Sequence, residues 1–169
     1  RIIAIGGGAV IDMAKILVLV TEAAAAEIYQ KKTELKKVRK LIAVPTTCGA
    51  GSEVSNVSIT EIVHLGSKMG IAEDILYADC AVLIPELLEK LPYQVFATSA
   101  IDALIHAIES YVSPKASLYT EMFSEKAIQM ILNGFKKVAA GGKGTEKALL
   151  GEFLMASNLA GIAFGNAGT

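Results

Sequence analysis

The sequence predicts an α/β half followed by an all-helical half. Three observations carry this: short apolar runs that stop abruptly at glycine or proline, long connections between them, and a switch to purely helical periodicity from about Tyr93. Strands of a parallel sheet are covered on both faces, so they read as continuous apolar runs, and parallel neighbours need long crossovers. The seam falls at Pro85–Pro92, which predicts two parts, 1–88 and 89–169.

Each element can be justified in order. Ile2-Ile3-Ala4-Ile5 stops at Gly6-Gly7-Gly8, and Ala9 to about Val20 then reads as a helix that is apolar nearly all round, hence buried. Residues 21–40 carry the weakest pattern; six basic residues and one acidic one fall within 31–40, as in a solvated helix face or a mobile loop. Leu41-Ile42-Ala43-Val44 stops at Pro45 and Cys80-Ala81-Val82-Leu83-Ile84 stops at Pro85, giving two further strands. Between them Val54–Ile62 alternates loosely, and Lys68–Ile71 follows a Gly66-Ser67 turn, which predicts a hairpin. Helices are expected over Tyr93–Val112, Ser117–Val138 and Thr145–Ala160, punctuated by Pro114 and by Gly141–Gly144.

Composition sets limits on partners. The 169 residues are 53% hydrophobic and 20% charged, with a mean hydropathy of +0.49, enough for a substantial core. Sixteen basic against 17 acidic residues leave a net charge of −1, which argues against a nucleic-acid or membrane-surface partner. The longest apolar stretch falls short of the roughly 20 residues a membrane span needs, and no signal peptide is read, so neither is expected. Cys48 and Cys80 lack any C-x-x-C or Cys/His neighbour; both are expected as free thiols in a cytoplasmic setting. Two histidines, His64 and His106, exclude any site needing three imidazoles from this chain.

Three places could carry chemistry. Gly6-Gly7-Gly8, after a strand and before a helix, lets phosphate oxygens approach backbone amides at a positive dipole end, although such a turn equally serves to pack a strand against a helix. Thr46-Thr47-Cys48-Gly49-Ala50-Gly51-Ser52-Glu53 adds hydroxyl donors and glycines at the end of the next strand, and is also simply a polar turn. Two such loops on one carboxyl edge favour a nucleotide, and they are expected to form one groove. In the helix from Tyr93, Asp102, His106, Glu109 and Ser113 fall within about 60° of arc, beside an apolar face of Ile101, Ile105, Ile108 and Val112. An Asp and a His four residues apart can share one divalent cation, or simply pair at the surface.

The motifs G-G-G-x-x-x-D-x-A-K (Gly6–Lys15), P-T-T-x-G-x-G-S-E (Pro45–Glu53), D-A-L-I-H-A-I-E-S-Y-V-S (Asp102–Ser113) and A-G-I-A-F-G-N-A-G (Ala160–Gly168) occur in this order. Together they resemble the iron-containing (group III) alcohol dehydrogenase family. The resemblance implies a partial Rossmann-like parallel sheet domain plus a helical domain, in a dehydroquinate synthase-like architecture. It implies that Gly7 and Gly8 line a pyrophosphate, that Thr46, Thr47 and Ser52 contact the cofactor, that Lys68 and Leu83 lie near its ribose and adenine, and that Asp102 and His106 ligate a metal. The implied activity is hydride transfer between NAD(H) and a small alcohol/aldehyde pair, with a divalent metal as Lewis acid. The branch acting on 4-hydroxybutyrate and succinate semialdehyde is the most similar. NADP in place of NAD and Zn²⁺ in place of Fe²⁺ stay open, and a homo-oligomer is expected.

Ala9 and Ala50 stand where the family usually has Ser and Thr, so each removes a hydroxyl otherwise available to phosphate. The family's other two metal-binding histidines and its first β-α-β unit have no counterpart here, so an internal fragment is expected, inactive by itself. His64 is expected as a solvated loop residue rather than a substitute ligand. Rival readings are a glycerol dehydrogenase or dehydroquinate synthase relative, and a catalytically silent nucleotide-binding module.

Overall fold

The computed structural model describes residues 1–20, 25–63, 66–142 and 144–167. The first half runs β1 (Ile2–Gly6), α1 (Gly8–Leu17), β2 (Leu19–Val20), α2 (Ala25–Tyr29), β3 (Lys36–Lys37), β4 (Leu41–Pro45), β5 (Val57–Ile62), β6 (Ser67–Ala72) and β7 (Cys80–Ala81). Strands β1, β4 and β7 form a parallel sheet in that spatial order, with Ile2 opposite Leu41, Gly6 opposite Pro45 and Ile42 opposite Cys80. The expected hairpin is β5 against β6, turning at Gly66 in the left-handed region (φ 58°). His64 lies outside the described residues.

The expected first helix is corrected at both its end and its environment. It stops at Leu17 because the Val18 carbonyl accepts from Val38 and Arg39 amides, and Leu19–Val20 then pairs with Lys36–Lys37. Only one side is covered: Ile11, Ala14, Lys15 and Ile16 are buried, whereas Val10, Met13 and Leu17 are exposed. β1 is an edge strand of its sheet, and its alternate residues Ile3 and Ile5, which share one face, are exposed too. The third strand is also shorter than expected, two residues rather than five. Its ladder ends after Val82, whose amide bonds the Ala43 carbonyl, and Leu83 turns to pack on the helical core.

The stretch 21–40 is more ordered than its composition suggests. Ile28 and Tyr29 of α2 join a small core with Ile16, Leu19, Ile62, Ile71 and Leu76. Lys37 donates to the Tyr77 carbonyl and pairs with Asp79 at 2.9 Å, so part of the basic run is pinned to the sheet.

The second half contains α3 (Tyr93–Tyr111), α4 (Leu118–Gly141) and α5 (Leu150–Ala167). Ser117 and Thr120 cap α4 reciprocally, each side chain meeting the other's amide. Thr145–Leu149, expected as the start of the last helix, winds as a 3₁₀ turn instead. α3 buries Phe96, Ala100, Ala103, Ala107 and Ser110, while the Ile101, Ile105, Ile108 and Val112 face is exposed. Alanines allow close helix approach, and the rings of Phe96, Phe135 and Phe153 fill the space beyond, with edge-on centroid separations of 4.8 to 6.4 Å. α5 is apolar on nearly every side because it has neighbours on nearly every side: α3, α4, and the turns Ser52–Val54 and Pro85–Leu88. Among the described residues Thr145–Ala167 alone is long and apolar enough to cross a membrane, and half of it is buried inside the protein. A core helix has the same composition.

Candidate functional site: a two-loop groove and a helical Asp–His pair

The groove begins where β1 ends. Gly7 caps α1 with an extended backbone and no side-chain hydrogen bond, and the first turn holds no acidic residue. The opening amides of α1 are therefore left to an external acceptor at the positive end of the helix dipole.

The second loop lies directly against the first. The Thr46 amide donates to the Gly6 carbonyl at 3.0 Å, which extends the β1–β4 ladder into both loops. A Cβ added at Gly7 would sit 3.4 Å from Thr47 Cγ2; one added at Gly8 would sit 2.8 Å from Ala50 Cβ and 3.2 Å from Ser52 Oγ. Gly7, Gly8, Thr46, Thr47 and Ser52 thus gather at the carboxyl ends of adjacent parallel strands, as expected. Thr46 and Thr47 are half-buried, and Ser52 is buried. Leu83 lies just past the end of β7 on the same edge. Lys68 stands exposed on β6 opposite Glu61.

The loop is held from both halves of the molecule. On one side Lys15, fully buried, donates to Ser55 Oγ (3.2 Å) and to the Val57 carbonyl, and lies 3.5 Å from Asp12. Asp12 in turn accepts from the Ile59 amide. Burial pushes the Lys15 ammonium below its ordinary pKa, against the pull of Asp12 and Glu53. On the other side Glu53, 4% exposed, accepts from Asn158 of α5 at 2.9 Å. Gly51, in the left-handed region at φ 64°, touches Gly161: a Cβ on the latter would be 2.7 Å from Gly51 Cα. Gly49 likewise abuts Ser99 of α3. Cys48, next to Gly49, is buried, and burial pushes its thiol up. Cys80 is exposed rather than covered in a strand, and both cysteines are free.

Asp102 and His106 face each other one turn apart on α3, with Asp102 Oδ1 3.9 Å from His106 Nε2. That is too long for a hydrogen bond. The imidazole lies against the Phe164 ring, 4.5 Å between centroids, and its Nδ1 is buried without a partner. No third Asp, Glu, His or Cys joins them in a metal-holding group among the described residues. Sequence reasoning carried Lys15, Glu53 and Gly161 only as motif positions without a role, and it missed Asn158. An i,i+3 Asp–Lys pair was visible for the first, but a contact across 105 residues leaves no local trace.

A family model described as iron-containing alcohol dehydrogenase matches residues 1–85, and one for the C-terminal part of the Fe-containing alcohol dehydrogenase family matches 96–169. The chain belongs to the iron-containing alcohol dehydrogenase family. It is 53% identical to 4-hydroxybutyrate dehydrogenase of Clostridium kluyveri, over 99% of this chain and 45% of that protein. It is 35% identical to 1-propanol dehydrogenase PduQ of Salmonella typhimurium, over 99% of this chain and 42% of that protein. Among solved structures, sulfoacetaldehyde reductase of Bifidobacterium kashiwanohense in complex with NAD⁺ superposes with a TM-score of 0.89 at 28% identity, covering 99% of this chain and 45% of that one. An iron-containing alcohol dehydrogenase of Thermotoga maritima gives 0.85 at 26% identity, with the same coverages. The chain therefore spans less than half the length of these relatives.

Proposed function

We propose that this chain supplies part of an NAD(H)-linked, metal-dependent alcohol dehydrogenase that interconverts a small alcohol and its aldehyde, with 4-hydroxybutyrate and succinate semialdehyde as the substrate pair. The observation that carries the reading is the juxtaposition of two glycine-rich loops at one sheet edge, beside a helix start with no capping side chain. Anionic pyrophosphate suits Gly7, Gly8 and the α1 amides, and hydroxyls of Thr46, Thr47 and Ser52 suit the surrounding oxygens. The substrate pair rests on the 53% identity to the Clostridium kluyveri enzyme. Lys68 and Leu83 are proposed toward the ribose and adenine, the α/β and helical parts are proposed to divide at 88/89, and cytoplasmic, homo-oligomeric assembly is proposed with them.

Asp102 and His106 fit a divalent cation. A carboxylate and an imidazole are a donor set suited to Fe²⁺ and Zn²⁺ alike, and their 3.9 Å separation leaves room between them that no hydrogen bond fills. A cation there would supply Lewis-acid polarisation of the substrate oxygen. The chain's own contribution is to fix the two donors on one rigid helix and to hold the imidazole plane against Phe164. Two protein ligands hold a cation weakly, so the full site needs donors beyond Asp102 and His106.

Calorimetric titration of the protein with NAD⁺, then with Fe²⁺ or Zn²⁺, tests this. NAD⁺ uptake that is lost on Gly8→Val, together with weak metal binding lost on Asp102→Ala, is the expected result. Metal that survives dialysis stoichiometrically would refute the two-ligand account. NAD⁺ uptake with no metal binding at all would favour a nucleotide-binding module without catalysis.

A further inference from the structure

The turn Ser52–Val54 sets where the Ser52 hydroxyl stands relative to Gly8, yet no side chain of its own caps it: Gly51 precedes it in a left-handed conformation with no capping bond. Its place is fixed from outside. Ser55 is tied to Lys15 on α1, and Glu53 is tied to Asn158 on α5. Of these, only the second crosses to the helical half. Glu53 is buried, so its carboxylate depends on that amide donor, and charge-assisted hydrogen bonds in such surroundings are among the stronger ones. The same stretch of α5 meets the loop backbone to backbone, Gly161 on Gly51, so a shift of α5 moves the loop with it.

We infer that Asn158 is a positioning residue of the cofactor groove: through Glu53 it holds the Ser52–Val54 turn against the start of α1, so that the groove keeps its shape before any cofactor arrives. The inference rests on the cofactor reading above and adds a specific residue on the other half of the fold. Asn158 meets the turn through its hydrogen bond to Glu53. Its action is on the turn alone.

Two readouts test it. In the cofactor-free protein, amide hydrogen exchange within 52–55 should quicken about five- to tenfold in Asn158→Ala, while exchange in β1, β4 and the helical core through local openings that keep the turn intact should stay unchanged. NAD⁺ affinity should weaken by a similar factor, and the unfolding equilibrium should shift by no more than that same factor. Adding Asn158→Ala to Glu53→Ala should change either readout less than twofold further, because the partner is already gone. Unchanged exchange at 52–55 overturns the inference. So does faster exchange with undiminished NAD⁺ affinity, which would make the tie purely structural. A wild-type protein that takes up no NAD⁺ overturns the cofactor reading and this role together, and is told apart because the wild type itself fails.

Discussion

Gly161→Ala is the sharpest probe of how tightly the two halves meet. A Gly-to-Ala change inside a helix normally stabilises by about 1 kcal/mol through propensity and chain entropy. At Gly161 the added methyl would stand 2.7 Å from Gly51 Cα, 2.9 Å from its carbonyl oxygen and 3.0 Å from Val54 Cγ2, against the 3.4 Å at which ordinary contact begins. Two of these three are backbone atoms and cannot swing aside. Overpacking of this kind costs about 1–3 kcal/mol, so the net effect is a loss of roughly 0–2 kcal/mol, or up to several degrees in Tm for a chain of this size. Gly151, on the same helix, is the control: its added methyl meets only Pro85 side-chain carbons, the nearest at 3.5 Å. Gly151→Ala should therefore raise the midpoint. Urea melts followed by far-ultraviolet circular dichroism give both numbers, and the structure requires Gly161→Ala to fall at least about 1 kcal/mol below Gly151→Ala. Equal midpoints for the two would refute a backbone-to-backbone contact at Gly51.

Lys15→Met leaves the carboxylates of Asp12 and Glu53 buried without their cation and should cost about 3–5 kcal/mol in urea melts at neutral pH. Because burial lowers the Lys15 pKa, the folded state sheds that proton before the unfolded chain does; between the two pKa values the wild type should gain stability with rising pH relative to Lys15→Met. Asp79 contributes with the same sign in the acid range: hydrogen bonds from Lys37 and the Leu41 amide hold its carboxyl below the usual range, so stability rises with pH there too. Asp79→Asn should then cost under about 1 kcal/mol at pH 7, a difference that fades as pH falls below about 4, as melts across pH would show. A thiol reagent should label Cys80 at once and Cys48 only on unfolding, as intact-mass measurement would reveal.

The parallel sheet, the hairpin and the three long helices were legible in the sequence because each rests on a local pattern: apolar runs cut by glycine or proline, alternation, and 3.6-residue periodicity. Their environments were less so. The α1 stripe of Val10, Met13 and Leu17 is as apolar as the buried side, and nothing in residue type says which face a neighbour covers. On α3 the branched side chains Ile101, Ile105 and Ile108 drew the eye as the apolar face, while the helix packs through Ala100, Ala103 and Ala107. The groove glycines and threonines were found by motif, and the Asp102–His106 pair by spacing. The pairing of Glu53 with Asn158 was not, because it exists only once α5 is docked.

The 105-residue separation between those two partners also bears on the order of folding. The β1–β4 pairing spans a much shorter loop, and the hairpin shorter still, so their closure entropies are smaller and they can form early. The Ser52–Val54 turn can take its final shape only after the last helix has been made and has settled on it. During synthesis the loop at the mouth of the sheet is therefore fastened only on its Lys15 side while more than 100 residues emerge behind it, and the groove is among the last features of the chain to be completed.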